Sequence, residues 1–252
     1  MSVFPYFPVL RNLRLAVPAD VMRLGVISSA GFRYSPVFDW ERPYHTQYPQ
    51  DTLDSYRSMY ISAMKDPRIV MVVATDKYDP AEVEKTKAII PPEVEVELPK
   101  AGEDVVVGVA YWKFEPGLKR VGQFKNEEGP YPTIPKNAHR DEDPVRCAAA
   151  EKVWMAADEK YLWEYASMNI VVVHPAYWRR GHGSALVKWG MAMTDMDKTT
   201  QGVISADIGT KLYDTLGFEK LCEAHVDGDE RTPEGLVNGI MRYGAATKKS
   251  SL

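Results

Sequence analysis

Apolar positions along the chain follow two periods, and the alternation between them predicts the order of elements. Leu13 and Leu15, two apart, predict a strand over residues 12–16. Pro18-Ala19-Asp20 then opens a helix carrying Val21, Leu24 and Ile27, and Gly31 ends it. Residues 32–50 are dense in proline and aromatic residues without a steady period, which predicts a packed loop. Asp51 or Thr52 caps a following helix with Leu53, Tyr56, Tyr60 and Met64 on one face. The β-branched runs 69–74 and 105–112 predict neighbouring strands buried on both faces. Pro144 starts an amphipathic helix over 145–159, with Val153, Trp154 and Ala157 inward. Residues 162–173 form one long strand that His174-Pro175 halts. A helix over 184–193, a strand over 202–205, and a helix over 208–216 capped by Asp207 and closed by Gly217 follow. A last strand passes through Leu221.

Two polar excursions interrupt this order. Residues 76–104 mix Glu and Lys with Pro91-Pro92 and Pro99, and are expected to be exposed. Residues 116–144 are richer still in Pro, Gly and charge, which suits a plain surface loop or a lid on the substrate side. With 252 residues, 45% hydrophobic and 26% charged, the chain has the balance of an ordinary globular protein, which excludes a disordered polymer, a collagen-like fibre and a disulfide scaffold. Its formal charge of −4 disfavours broad nucleic-acid binding, so any anion site is local. Cys147 and Cys222 are too few for a metal cluster and read as free thiols in a reducing compartment. No apolar run is long enough to span a membrane, and residues 1–10 lack the features of a signal peptide, so a soluble cytoplasmic protein is expected. The polar tail 247–252 is expected to fray.

Chemistry enters only in the last hundred residues. The strand ending in Val171-Val172-Val173 leads through Arg179-Arg180-Gly181-His182-Gly183 into the helix beginning near Ser184. The first turn of a helix presents amides with no internal partner and a partial positive charge, which favours phosphate. Gly181 and Gly183 let the backbone come close to a ligand, and Arg179 and Arg180 add charge, so a pyrophosphate is the natural occupant. Taken alone, a Gly-x-Gly before a helix reads equally as a tight turn.

The wider pattern is more specific. Val173-His174-Pro175, then Trp178-Arg179-Arg180-Gly181-His182-Gly183, then Leu212-Tyr213-Asp214-Thr215-Leu216-Gly217-Phe218 occur in order. In this the chain resembles the GNAT superfamily of acyltransferases, whose signature is a strand ending in Val-x-Pro, a Gln/Arg-x-x-Gly-x-Gly/Ala loop, and a helix closing in Leu-Tyr-x-x-x-Gly-Phe. The direct match covers about residues 162–221. The resemblance implies an α/β (α+β) fold with a mixed central sheet splayed between its fourth and fifth strands. It implies one acyltransferase domain over 1–252 with inserts at 76–104 and 116–144, and an N-acetyltransferase that uses acetyl-CoA as co-substrate and no metal.

The resemblance also assigns residues. Main-chain groups of the fourth strand at Val171, Val172 and Val173 would bond the pantetheine arm, with Val171 N–H polarising the thioester carbonyl. The amides of Arg179, Arg180, Gly181, His182, Gly183 and Ser184 would hold the pyrophosphate, and Ser184 either adds its hydroxyl or simply begins the helix. Tyr213 stands where many members place the acid that protonates the departing thiolate; the other reading is a tyrosine packing its helix on the sheet. Tyr165, Ser167 and Asn169 share the parity of the family's usual base positions, and none is a strong base. Glu164 would serve if a bulge reversed the facing; otherwise a water held by Ser167 or Asn169 would relay the proton. His174 and His182 fall on the coenzyme side. Two departures put coenzyme affinity in doubt: Trp178 replaces the usual Gln or Arg, loosening the loop or stacking near the adenine, and Ala206 replaces a frequent Asn.

The expected acceptor is a primary amine of a small molecule or peptide, attacked directly in a ternary complex by a monomer or homodimer. The alternative is a non-catalytic acyl-CoA binding module that recruits a partner through its inserts.

Overall fold

The computed structural model describes residues 12–92, 99–115, 118–124, 129–163 and 165–244. The expectations for Glu164, for residues 1–10 and for the tail 247–252 fall outside these residues, as do parts of both excursions. Thirteen elements carry the architecture: β1 (Leu13–Leu15), α1 (Val21–Phe32), α2 (Pro36–Glu41), α3 (Pro49–Lys65), β2 (Ile69–Lys77), β3 (Asp104–Lys113), α4 (Pro144–Ala157), β4 (Ala166–Val173), α5 (His182–Asp197), β5 (Thr200–Ser205), α6 (Asp207–Thr215), β6 (Glu219–Val226) and β7 (Leu236–Gly244).

The strands form one mixed sheet in the order β1-β2-β3-β4-β5-β7-β6, antiparallel throughout except for the parallel pair β4·β5. Because β2, β3 and β4 are covered on both faces, their sequences read as continuous apolar runs rather than alternating ones. On one face Leu24 and Ile27 of α1 and Tyr56 and Tyr60 of α3 pack with Val73, Val109 and Val172. On the other, Leu186, Val187, Trp189 and Met193 of α5 pack with Val72, Trp112 and Val173. The approach of α5 depends on Gly190, where a Cβ would lie 2.4 Å from the Trp112 ring. The Trp112 indole N–H is satisfied by Gln201 Oε1 at 2.8 Å.

Several predicted boundaries shift, each for a local reason. Helix α1 does not stop at Gly31 but runs to Phe32, and Gly31 is needed because a Cβ would fall 2.4 Å from Val172 Cγ2. Within the segment expected as loop, Ser35 Oγ accepts from Val37 N and starts the short helix α2. Helix α3 begins at Pro49 rather than at a cap on Asp51 or Thr52. Those two side chains are committed elsewhere: Asp51 binds Arg140, and Thr52 donates to Asp141. Asp143 caps α4, accepting from Val145 N and Arg146 N. Strand β4 starts four residues later than expected, because residues 158–162 form a π-helical turn that extends α4. Helix α5 starts at His182 and ends at Asp197, and Asp207 is the first residue of α6 rather than its cap.

Strand β7 was not foreseen, since Asn238, Gly239 and Arg242 break its apolar pattern. It nonetheless sits between β5 and β6, with Ile240 and Met241 fully buried. The excursions are also less free than composition suggested. Glu82, in a 3-10 turn of the first, is buried against α1. Residues 137–143 of the second are fastened to α3: Asn137 donates to Asp51 O, Arg140 to the Asp51 carboxylate, and Asp141 accepts from Thr52 and Arg42. That part of the chain is thereby strapped to α3 and, through Arg42, to the end of α2.

Candidate active site

The sheet opens at β4. It pairs with β5 only at Ala166↔Gln201 and Ser167↔Gly202, whereas β3 holds it as far as Val173. Leu162 plugs the apex of this split: a Cβ on Gly202 would lie 2.4 Å from Leu162 Cδ2. Beyond the apex, His174 N donates to Val107 O at 2.9 Å. In an antiparallel ladder facing residues alternate, so Ile170 and Val172 share that side, and Val171 and Val173 turn their N–H and C=O into the widening gap. Val172 is therefore not brought to the opening; its backbone faces β3 and its side chain packs toward α1. The Val173 carbonyl already accepts from Trp178 Nε1 at 2.7 Å.

The same indole meets Tyr34 edge-on with ring centroids 4.8 Å apart. Trp178 thus fastens the loop to the end of β4 instead of loosening it. Pro175–Tyr177 make a single 3-10 turn capped by His174 Nδ1, which accepts from Ala176 N. Two left-handed residues, Arg179 (φ 64°) and Gly181 (φ 90°), then swing the chain into α5. The cap position of α5 is Gly181 itself, which offers no side-chain acceptor. The amides of His182, Gly183 and Ser184 consequently point out of the helix end without an intrahelical partner. A Cβ on Gly183 would meet only Leu212 at 3.6 Å and Val173 at 3.9 Å, so this glycine is not required by packing.

The loop's polar side chains do not all face one ligand. Arg180 Nη1 and His182 Nε2 both bind Asp76 Oδ2, at 3.1 and 2.9 Å, and Arg180 lies over the Tyr177 ring. Arg179 has no ion pair among the described residues. Beneath the loop Tyr177 Oη donates to Glu82 Oε2 at 2.9 Å and accepts from Asp79 N at 3.0 Å, while Arg23 pairs with both Glu82 oxygens. Burial pushes the fully enclosed His174 down to about 4, against the raising field of Glu82. It is held neutral, with Nε2 lacking a partner among the described residues, and is unsuited to accept a proton at neutral pH. At the other departure from the family pattern, Ala206 caps α6 with its carbonyl, which accepts from Gly209 N and Thr210 N.

On β4 the pairs Tyr111↔Ile170 and Trp112↔Met168 leave Asn169 as a bulge, and it is exposed. The bulge reverses the facing of the residues after Met168 relative to those before it. Tyr165 packs with Ala157 and Leu162. Ser167, the last paired residue, is buried and donates to Asp158 Oδ1 at 3.1 Å. Asp158 was missed by the sequence reading because it opens the π-helical turn, a deviation with no periodic signature, though such turns concentrate at functional sites. Tyr213 is buried in the cluster that also holds Met168 and Val173, and its ring lies 5.2 Å from that of Phe218. Burial pushes its phenol well above the ordinary value, and its hydroxyl makes no hydrogen bond among the described residues. Cys147 is likewise raised, to about 12, by burial and by Glu41. Among the described residues no cluster of three or more His, Cys, Asp or Glu could hold a metal ion, and no helix is long and apolar enough to cross a membrane.

No family model matches the chain. A curated protein of Stachybotrys chartarum named Acetyltransferase is 34% identical over 245 residues, which cover 96% of this chain and 94% of the relative. Among solved structures, the Corynebacterium glutamicum protein described as histone acetyltransferase HPA2 and related acetyltransferase is similar, with a TM-score of 0.52 and 16% identity over 94% of this chain and 98% of that one. Mosquito arylalkylamine N-acetyltransferase like 5b has a TM-score of 0.50 and 14% identity, over 92% of this chain and 99% of its own. These two establish likeness of fold; the fungal relative, at this identity and over nearly the whole of both chains, establishes kinship. By its kinship with that relative the chain belongs to the acetyltransferases, and its split sheet and glycine loop have the GNAT fold.

Proposed function

We propose that this acetyltransferase takes its acetyl group from acetyl-CoA and passes it to a primary amine of a small molecule or peptide, by direct attack within a ternary complex. One observation carries the reading: the open edge of β4 at Val171 and Val173 runs directly to the uncapped first turn of α5. An extended amide-bearing arm ending in a diphosphate suits that surface. Main-chain N–H and C=O groups in the gap bond the arm, and the amides of Gly181 to Ser184 meet the phosphates. Arg179 adds charge from the solvent side. Coenzyme A supplies the activated thioester; the chain supplies position and proton handling.

In this reading Val171 N–H donates to the thioester oxygen, and its value lies in already being aimed before charge develops. Asp158 and Ser167 form the proton route for the acceptor. The amine proton passes to Ser167 Oγ as the Ser167 proton passes to Asp158, which is partly exposed and returns it to water. Asn169, exposed on the bulge, is placed to hold a water or the acceptor itself. Tyr213 keeps its proton because burial disfavours the phenolate, and it serves the departing sulfur as a hydrogen-bond donor, with water completing the protonation of the thiolate. A covalent route through Cys147 has no support, since burial raises its thiol to about 12 and keeps it protonated.

Release of free thiol from acetyl-CoA, measured with a panel of arylalkylamines, polyamines and lysine-containing peptides, tests the proposal. Turnover with at least one amine is expected. Calorimetric binding of coenzyme A without turnover by any amine would instead favour the recruiting module, and absence of binding would reject both.

A further inference from the structure

Of the side-chain donors between β4 and the first turn of α5 that could meet a phosphate, two, Arg180 and His182, are already occupied. Asp76, near the end of β2, presents one oxygen to both: Oδ2 accepts from Arg180 Nη1 at 3.1 Å and from His182 Nε2 at 2.9 Å. Its second oxygen accepts from the amide of Lys77 at 2.8 Å, which sets the carboxylate's orientation before any ligand arrives. The far side of the arrangement is equally constrained. Arg180 Nη2 donates to Ala176 O at 3.2 Å, and the guanidinium rests over the Tyr177 ring, 5.0 Å from its centroid. Tyr177 in turn is held by Glu82 and by Asp79 N, residues of the first excursion. Asp76 at the end of β2, with Asp79 and Glu82 after it, thus grips the loop and the start of α5 at three points, across more than ninety positions of sequence.

We propose that Asp76 sets the affinity of the loop for its anionic ligand, acting as a built-in carboxylate that holds Arg180 and His182 and that an incoming diphosphate must displace. The inference rests on the coenzyme reading of the loop. Its physical basis is the weakness of the pair it invokes: the Arg180 side chain is 44% exposed and Asp76 24%, and ion pairs of this kind are worth about 1 kcal/mol or less. Such a pair exchanges readily onto a diphosphate of higher charge, yet the exchange costs the chain its Asp76 contact. Until the acid is displaced, recognition rests on the amides of Gly181 to Ser184 and on Arg179, and the displacement couples the bound anion to the end of β2.

Calorimetric titration of the full-length chain with coenzyme A tests this. Asp76→Asn keeps the size of the side chain and its acceptor for Lys77 N. It is expected to bind coenzyme A about two- to fivefold tighter than the parent at low salt, the gain shrinking at about 0.5 M salt as screening takes over. On an Arg180→Ala background the same substitution is expected to gain less than about half of that factor, as a double-mutant cycle requires of residues acting through each other. Binding by Asp76→Asn that is equal to or weaker than the parent's overturns the inference, and so does a gain undiminished by Arg180→Ala. Parent protein that binds no coenzyme A fails earlier, at the reading of the loop itself. Should Asp76→Asn melt well below the parent, Asp76→Ser with the same cycle replaces it, and the same outcomes decide.

Discussion

Ser167, the last residue of β4 to pair with β5, donates its hydroxyl to Asp158 in the π-helical turn that precedes the strand, at 3.1 Å. The pair puts a carboxylate beside the apex of the split, where no residue of β4 itself offers a strong base. Asp158→Asn is expected to lower kcat about 100-fold with an accepted amine, the lower end of what a positioned base contributes, while the coenzyme dissociation constant moves less than about twofold. Ser167→Ala, which removes the relay and leaves the acid, is expected to cost about tenfold. Steady-state kinetics beside calorimetry decides; kcat of Asp158→Asn within twofold of the parent removes the acid from the mechanism.

Gly183 separates ligand binding from stability. The free chain has room for a Cβ there, near Leu212 and Val173, and the position is the second residue of α5. Gly183→Ala should therefore stabilise the chain by up to about 1 kcal/mol of helix propensity and raise its melting temperature accordingly. It should at the same time weaken coenzyme A binding about tenfold, because the added methyl crowds the phosphate beside the amides. A thermal melt and a titration on one sample give both numbers; undiminished affinity in this variant or in Gly183→Val argues against the loop assignment.

Tyr213→Phe asks whether the phenol is chemistry or packing. Its hydroxyl has no hydrogen-bond partner among the described residues, so removal leaves no orphaned group and should change stability little. Turnover at saturating substrates is expected to fall at least about tenfold with coenzyme binding intact. Unchanged turnover assigns the ring to packing against Phe218.

Half-buried Glu41 and fully buried His174 give the folded chain opposite responses to pH. Burial raises Glu41 from 4.5 to about 7, with Arg42 opposing and Glu142 and Glu151 adding. Between those values the folded chain keeps a proton that the unfolded chain has lost, so stability falls as pH rises. Burial lowers His174 from 6.5 to about 4, so over that window the unfolded chain binds the extra proton and stability rises with pH. The two largely cancel below pH 6.5. Glu41→Gln removes the falling limb and should leave a chain whose stability climbs from about pH 4.5 to 6.5 and exceeds the parent's near pH 8 by at most about 3 kcal/mol. Urea unfolding across this range checks the sign; a parallel pair of curves would show that Glu41 does not titrate as its burial implies.

Much of the fold follows from local pattern. The apolar runs that became β2 and β3, the face of α3 formed by Leu53, Tyr56 and Tyr60, and the left-handed Gly217 all lie where spacing and turn chemistry put them. Strand β7 escaped because its burial comes from position between two strands, not from its own composition. The start of β4 was misjudged because Leu162, which closes the π-helical turn, is as apolar and as buried as a strand residue.

The strand, glycine loop and helix after Val173, and the Leu212 to Phe218 signature, are short-range features governed by backbone preference and helix ends, and they were legible in the amino-acid order alone. The company those features keep was not. Asp158 beside Ser167, Asp76 on Arg180 and His182, Glu82 under Tyr177, and Trp178 on the Val173 carbonyl each depend on how distant segments are brought together or on a break in regular geometry. A hydrogen bond between groups a hundred residues apart leaves no period in either stretch, so only the packed sheet, with β4 splayed from β5, could select them.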